Sequence, residues 1–389
     1  MIALQEQPTT LLGAWRHTLS AIFADAGVWM ILALAPVIYG FFYPWPYMDQ
    51  AVTRVPVAVV DLDHSSLSRQ ITRFAAANPR IDVRWVTGNE QEAQQALWRG
   101  EIEGYAVLPR ELKRQVVRGA SAVVAVEGNG AYALLNKAVL YGFAEAVGTV
   151  SAGVEIKKLQ ARGQPLAQAQ ASRSPVNARL VPLFNTTEGY GSYVVPAVAW
   201  LIVQQTLLMG AAMLVGTWCE AGVAGADGRV WLGRILGLST VGWCSALFFL
   251  GWDFVWQGYP RGASPWAGLA LALLYVPVVV SLGCLLGLWF KDRERALQAL
   301  LFAALPAAFL SGFSWPTQAL PEALQWLRWL LPSTSGIQGG LKLHQMGATW
   351  ADVAPQWLAL GLMGTACVGW LMWFSEPAPA TRPPNGLPA

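Results

Sequence analysis

The sequence predicts an α-helical integral membrane protein with six transmembrane helices, one before and five after an inserted extracytoplasmic α/β domain. Hydrophobic residues make up 54% of the 389 residues and charged residues only 13%, whereas about a quarter of a soluble domain is charged. Residues 49–188 hold 29 of the 49 charged side chains, so the rest of the chain is nearly bare. The 20 tryptophans fit a membrane protein, because tryptophan is favoured at membrane interfaces. This composition argues against a soluble enzyme and against a disordered chain.

Six long runs without charge predict the membrane helices. Each approaches or exceeds the roughly 20 residues that cross a bilayer core of about 30 Å. In hydrocarbon such a run must be helical, because only a helix satisfies its backbone groups within one segment. The predicted helices span 27–46, 193–216, 234–253, 266–289, 298–316 and 353–374. The first ends in the aromatic-rich segment 41–47 rather than at a small-residue cleavage site, which favours an uncleaved anchor over a signal peptide.

Lysine and arginine in the short loops predict the orientation. With the N-terminus inside, seven basic residues fall on the cytoplasmic side and three in short outer loops. The inner set is Arg16, Arg229, Arg234, Lys291, Arg293, Arg295 and Arg382, and the outer set is Arg261, Arg328 and Lys342. Both termini are therefore expected in the cytoplasm, including a proline-rich tail at 376–389. Segment 47–190 is expected on the other, extracytoplasmic side of the membrane.

Segment 47–190 alternates strand and helix patterns. The expected strands are 55–61, 81–86, 104–108 and 122–126, and the expected helices are 65–77, 89–98, 109–118 and 131–161. Such alternation predicts a small α/β domain with a mixed sheet.

The segment DLDHSS at 61–66 allows two interpretations. Two carboxylates, a histidine and two hydroxyls are residue types found in metal or nucleophilic sites. They are also what a strand-to-helix turn uses, with Asp63 or Ser65 as the helix N-cap. We favour the cap, because the chain has only three histidines and a metal site needs further ligands that converge on it.

Residues 1–26 are predicted to form an amphipathic helix on the cytoplasmic membrane surface, starting after Thr9 or Thr10. Apolar side chains recur at helical spacing in this segment. They are Leu11, Leu12, Trp15, Leu19, Ile22 and Phe23. The alternative is a simple extension of the first membrane helix.

Polar groups inside the spans are few. Gln204 and Gln205 form the one clearly polar pair in a predicted span, and they either bridge helices, which we favour, or line a substrate path. Between the last two spans, 317–352 is predicted to hold two short helices, 321–331 and 335–346, broken at Pro332 and Gly347. The sequence contains no phosphate-binding GxxxxGK[ST] loop, so any ATP used must bind to another chain.

Three stretches together resemble the permease subunits of ABC-2 type exporters, in the subgroup with a large extracytoplasmic domain between the first two membrane helices. The stretches are 55–69 (VPVAVVDLDHSSLSR), 183–206 (LFNTTEGYGSYVVPAVAWLIVQQT), and 332–336 (PSTSG) with 347–348 (GA). Their order, with the layout of one plus five helices, extends the resemblance over nearly the whole chain.

The resemblance implies a location in the bacterial inner membrane and a pair of permeases, identical or paralogous, that together have twelve helices. Two cytoplasmic ATPase subunits bind below and use the ATP, so this chain needs no cofactor and is not itself an enzyme. The cargo of the subgroup is often drug-like, amphipathic or lipid-like. A periplasmic adaptor and an outer-membrane channel are further partners that the resemblance implies.

The resemblance also implies that the N-terminal helix and the loop after the second span contact the ATPase. We therefore expect Trp15, Arg16, Glu220 and Arg229 to serve coupling. One departure concerns this loop, because the family commonly has an Arg/Glu-rich stretch followed by Gly-Thr. Here 218–225 reads WCEAGVAG. A membrane-anchored receptor or assembly protein without transport remains the second hypothesis, and a membrane enzyme the third.

Overall fold

The computed structural model describes residues 8–176, 180–262 and 265–373 and contains two compact units. One unit consists of Met1–Gln50 with Pro182–Ala389, and the other of Ala51–Val181. The predicted tail at 376–389, with Arg382, lies outside the described residues.

The chain begins with two helices that meet at Asp25. The first is α1 (Leu11–Ala24), and the Thr10 hydroxyl caps it by accepting the Gly13 N–H at 3.1 Å. The predicted cap at Thr10 is therefore confirmed. The second is α2 (Ala26–Tyr47), which is long and apolar enough to cross a membrane.

The second unit is a small α/β fold. Its elements are β1 (Val55–Asp61), α3 (Ser66–Ala76), β2 (Ile81–Thr87), α4 (Glu90–Trp98), β3 (Gly104–Leu108), α5 (Leu112–Val117), β4 (Ala125–Gly128), α6 (Ala133–Ala161) and α7 (Leu166–Arg173). The strand order is β2-β1-β3-β4, with β1 parallel to β2 and β3, and β4 antiparallel to β3. The predicted mixed sheet is thus observed.

The central strand β1 is buried on both faces. Val57 and Val59 pack toward α3 and α6, whereas Ala58 and Val60 pack toward α4. A strand covered on both sides has no polar alternation, which explains why 55–60 is an unbroken apolar run.

The predicted fourth strand is wrong in its bounds. The expected 122–126 becomes Ala125–Gly128, because the ladder with β3 pairs Val107 with Ala125 and Gly104 with Gly128. Ala122 and Val124 face the core but do not pair with β3. Their alternate positions therefore resemble those of a strand, which is why the prediction starts too early.

The DLDHSS segment forms the predicted turn and cap. Ser65 is the N-cap of α3, and its Oγ accepts the N–H groups of Leu67 and Ser68 at 3.1 and 3.2 Å. The Ser68 Oγ in turn accepts the Ser65 N–H at 2.9 Å and donates to Asp61 Oδ2 at 2.8 Å. Asp61 Oδ1 accepts the His64 N–H at 2.8 Å. These polar groups therefore satisfy one another within the turn.

This capping box predicts a measurable local effect. Ser65→Ala should destabilise α3 by about 1 kcal/mol, because two backbone N–H groups lose their acceptor. In the full chain, amide exchange in α3 should become about fivefold faster. Ser66→Ala, one residue along and exposed, is the matched control and should leave exchange unchanged. Equal rates in both variants would contradict the role of the cap.

The remaining helices of the first unit follow residue 182. They are α8 (Tyr190–Glu220), α9 (Gly228–Trp256), α10 (Pro265–Phe290), α11 (Arg293–Leu310), α12 (Glu322–Leu327), α13 (Pro332–Gly340) and α14 (Ala354–Trp373). Like α2, helices α8, α9 and α10 are long and apolar enough to cross a membrane, and they coincide with four of the predicted spans. Helix α14, with 20 residues, matches the predicted span 353–374, whereas α11, with 18 residues, overlaps the predicted span 298–316 only over 298–310.

Helix α6 also has the length and composition of a span. In the structure its residues Val139, Phe143 and Val150 are buried in the core that also contains β1. The sequence pattern of 131–161 therefore reflects packing on a sheet.

The two short helices expected in 317–352 have different bounds from those predicted. The predicted break at Pro332 is observed, but the second helix begins at Pro332 itself rather than at 335, since the missing N–H of proline costs nothing at the first helical position. Helix α13 continues as a π-helical turn, Leu341–Gln345, and Gly347 follows with φ +68°.

One end of the first unit brings together the end of α2, the start of α8 and the turn after α13. Gln50 Oε1 accepts the Ser192 N–H at 2.9 Å, and Gln345 Nε2 donates to the Ser192 carbonyl at 3.0 Å. Helix α8 has 31 residues and is therefore about 46 Å long. Glu220, at its last turn, consequently belongs to the opposite end.

The apolar positions predicted for α1 divide between buried and exposed side chains. Ala14, Thr18 and Ile22 are buried, whereas Leu12 and Phe23 are exposed. The reason is the partner surface, because α1 packs closely on α9 at two glycines. These are Gly233, which faces Ala14, and Gly237, which faces Thr18. Small residues let two helix backbones approach each other.

Candidate functional site

The candidate site is the end of the first unit where α1, α8, α9 and α11 meet. We call it the charged end and define it by Asp25, Glu220, Asp227, Arg234 and Arg293. Asp25 lies between α1 and α2, Glu220 ends α8, Asp227 caps α9, and Arg293 begins α11. Charged side chains from four parts of the chain thus lie together at one end of these helices. The middle parts of the same helices contain almost no charged residues.

Arg293 contacts both neighbouring elements of the charged end, α8 and the start of α2. Its guanidinium binds the Asp25 carboxylate through two nitrogens, with Nη2 donating to Oδ1 at 2.8 Å and Nη1 donating to Oδ2. Nη1 also lies 3.4 Å from Thr217 Oγ1. The Arg293 backbone N–H donates to Glu220 Oε1 at 2.7 Å. One residue therefore connects α11 to the start of α2 and to the last turn of α8.

Asp25 has a second role as the N-cap of α2. Its Oδ1 accepts the N–H groups of Gly27 and Val28, both at 3.0 Å. The hydrogen bond from Arg293 is the largest cause that holds the pKa of the Asp25 carboxyl below its usual value, and the bonds to the capped N–H groups add to it. Asp25 is accordingly a carboxylate at neutral pH.

Arg234 holds the loop between α8 and α9. Its Nη1 donates to the Ala224 carbonyl at 2.7 Å and its Nη2 to the Val223 carbonyl at 3.2 Å. The guanidinium carbon also lies 4.4 and 4.7 Å from the ring centres of Trp218 and Trp231. Arg234 is 5% exposed, so this cation is enclosed by two aromatic rings and two carbonyls.

In a comparison with protein families, residues 26–374 match the model of the ABC-2 family transporter protein. The chain belongs to this family. It is thus a multi-pass membrane protein and the permease component of an ABC transporter, a transport component rather than an enzyme, and membership implies pairing with an ATPase subunit. The resemblance to ABC-2 type permeases drawn from the sequence is confirmed at the level of the family. A comparison with curated proteins gives no match.

In this permease the four residues expected to serve coupling occupy different surroundings. Trp15 is half-buried and its Nε1–H donates to Thr240 Oγ1 at 3.0 Å, so its ring contributes to the packing of α1 on α9. Glu220 is exposed, but one carboxylate oxygen accepts the Arg293 N–H. Arg16 and Arg229 are exposed on α1 and at the start of α9. Of the four, the two arginines are the best placed to meet another chain.

Sequence reasoning missed the central residues of the charged end. Asp25 and Arg234 directly precede charge-free runs, and Arg293 lies in the short charged segment 291–295 between two others. We used these two arginines only as markers of orientation. The available signal was that each charge stands at the boundary of a span, where its side chain can reach the neighbouring helix ends.

The glutamine pair of the permease lies inside helix contacts. Gln204 Oε1 accepts the Tyr275 hydroxyl at 3.2 Å, and Gln205 Nε2 lies 3.5 Å from the Leu300 carbonyl. Both side chains are buried. These partners on α10 and α11 agree with a helix-bridging role, and a role in the substrate path stays a prediction.

Proposed function

We propose that this permease is the membrane-spanning subunit of an ATP-driven exporter, with six transmembrane helices and the charged end in the cytoplasm. The single observation that carries the proposal is the convergence of α1, the 221–227 loop and the start of α11 at one end. The first two are the elements that the resemblance assigns to the ATPase contact. A cytoplasmic ATPase would thus meet both of them on one surface.

Two features support the remaining topology. The chain leaves the first unit at Gln50 and returns to it at Pro182, and the contact of Gln50 with Ser192 at the start of α8 lies at the end opposite Glu220. The 51–181 unit would then be exported into the periplasm while both termini stay inside. The basic residues of the predicted inner loops agree with this orientation, and the bacterial inner membrane is the location that the resemblance implies.

The exporter would contain two permeases, identical or paralogous, and two ATPase subunits that bind the ATP. The proposed cargo is drug-like, amphipathic or lipid-like. A periplasmic adaptor and an outer-membrane channel complete the proposed assembly. These statements rest on the resemblance.

The test is to express the permease with its chromosomal neighbours, purify it in mild detergent and measure ATP hydrolysis. We expect an ATPase to co-purify and to hydrolyse ATP faster with the permease than alone. Arg229→Glu should remove this stimulation, because it reverses an exposed charge at the charged end. Arg261→Glu is the control, since Arg261 is also exposed but lies in a predicted outer loop.

Two outcomes would contradict the proposal. A stable permease without any ATPase, under conditions in which a control exporter keeps its own, would favour the receptor or assembly role. The observation that favours this second role is the departure of 218–225 from the family pattern. Equal loss of stimulation in the two variants would instead contradict the assignment of the charged end to the ATPase.

A further inference from the structure

The break between α1 and α2 is formed by one residue. Asp25 has an extended backbone, with φ −99° and ψ 107°, between two helices. Its N–H donates to the Ala21 carbonyl at 3.1 Å and ends α1, while its carboxylate caps α2. A single extended residue between two helices can act as a hinge, because it can absorb a change of φ and ψ.

The ion pair across this hinge differs from the other ion pairs of the described residues. The side chains of Asp25 and Arg293 are 15% and 27% exposed, whereas every other pair has both partners at 40% or more. Exposed pairs contribute little, since water screens them. An ion pair is stronger when a partly enclosed arginine binds the carboxylate through two nitrogens, and the two bonds also fix the orientation of the pair.

Arg293 is itself held in place. Its backbone N–H donates to Glu220, and a Cβ added to Gly216 of α8 would lie 3.0 Å from its backbone nitrogen. The preceding Asp292 caps α11 by accepting the Arg295 N–H at 2.8 Å. The anchor for the hinge is therefore the packed junction of α8 and α11, not a mobile side chain.

The helix contacts define what the ion pair joins. Helix α1 packs on α9, and α11 packs on α8. A displacement of α1 reaches α8 and α11 most directly through Asp25 and Arg293. Without this pair, the extended backbone at Asp25 could bend and absorb the displacement.

We propose that Arg293 is a positioning residue that locks the hinge at Asp25, so that α1 moves as one body with the end of α8 and the start of α11. The proposal rests on the proposed function, because the load on α1 would come from the ATPase. It assigns to the α10–α11 turn a part in energy coupling that the sequence analysis did not give it.

The hinge is tested first in the permease alone. Spin labels at Ser20 on α1 and Gln298 on α11, both exposed, report the distance between these helices in a cysteine-free background. The unmodified hinge should give one narrow distance distribution, and Arg293→Gln should broaden it. Asp25→Ser should do the same, because serine keeps the cap of α2 but is too short to reach Arg293.

Two further variants separate the lock from general damage. Arg295→Gln removes a neighbouring arginine whose pair with Asp292 is exposed, and it should leave the distribution narrow. The Asp25→Ser and Arg293→Gln double variant should be no broader than either single variant, because both remove one interaction. An unchanged distribution in Arg293→Gln, or in Asp25→Ser, would overturn the proposal.

The second readout is ATP hydrolysis by the co-purified complex. Arg293→Gln should lower the stimulation of the ATPase by about fivefold, the low end of the usual range for coupling between sites, while equal amounts of ATPase co-purify. A broadened distance with full stimulation would also overturn the proposal. If even the unmodified permease gives no stimulation, the proposed function fails, and the coupling role fails with it. The spin-label result then still decides separately whether the ion pair locks the hinge.

Discussion

Gly233→Leu is expected to separate α1 from α9 and to abolish stimulation of the ATPase. A Cβ at this position would overlap the Ala14 side chain and meet the Leu11 carbonyl, and it would lie 3.1 Å from the Trp15 nitrogen. Two of these three neighbours are backbone atoms of a helix, so they cannot move aside singly. Overpacking of a fitted contact costs about 1–3 kcal/mol or more, and a leucine adds three further carbons.

The measurements for Gly233→Leu are the apparent melting temperature in detergent and the ATP hydrolysis of the co-purified complex. We expect the melting temperature to fall by several degrees. Gly251→Leu is the matched control, because Gly251 lies in the same helix and a Cβ there meets no atom within 4 Å. If the two variants behave alike, the glycine contact is not what holds α1 on α9.

The long elements were predictable because one physical requirement dominates each of them. The charge-free run 189–219 becomes α8, since a segment in hydrocarbon has to satisfy its backbone groups internally. The run 55–60 becomes strand β1, because a strand that is buried on both faces carries apolar side chains at successive positions. Errors concentrate where pairing decides the bounds, as at β4, whose register depends on β3 rather than on its own pattern.

The face that α1 buries could not be predicted from α1 itself. Of its large apolar side chains Ile22 is buried, whereas Leu12 and Phe23 are exposed, and the closest contacts with α9 are made by Ala14 and Thr18. The determinant is Gly233 and Gly237, more than 200 residues later in the sequence. Amphipathic spacing indicates where a helix is apolar, but the fitted contact depends on the shape of its partner.

The charged end was only partly predicted for the same reason. Trp15 and Glu220 were expected to face another chain, and the structure gives both of them partners within this one. Asp25 and Arg293 are 268 residues apart in sequence, so their ion pair exists only once α1, α8 and α11 are packed. The spacing of residues along the sequence does not predict which charges of different helices will form an ion pair.

Arg234→Met is expected to release the loop at 221–227. The substitution keeps an apolar stem between Trp218 and Trp231 but removes both hydrogen bonds to the Val223 and Ala224 carbonyls. A hydrogen bond to a charged group contributes about 1.5–3 kcal/mol, and each ring contributes about 0.5–2 kcal/mol to a cation. Protease cleavage within this loop should therefore become at least tenfold faster, as an opening free energy lowered by about 1.4 kcal/mol implies.

Comparing three arginine variants separates the shape of the loop from its contact with the ATPase. Arg234→Lys should be cleaved almost as fast as Arg234→Met, because a single ammonium nitrogen replaces neither the two separate guanidinium nitrogens that reach the two carbonyls nor the flat group between the two rings. Arg229→Met should keep the loop as resistant as in the unmodified permease, since Arg229 is exposed, yet lower the stimulation of the ATPase. Rapid cleavage in Arg229→Met, or slow cleavage in Arg234→Met, would contradict this division. The expected pattern means that a loop lacking the family's charged stretch is held in shape by one enclosed arginine, and that the neighbouring exposed arginine meets the partner.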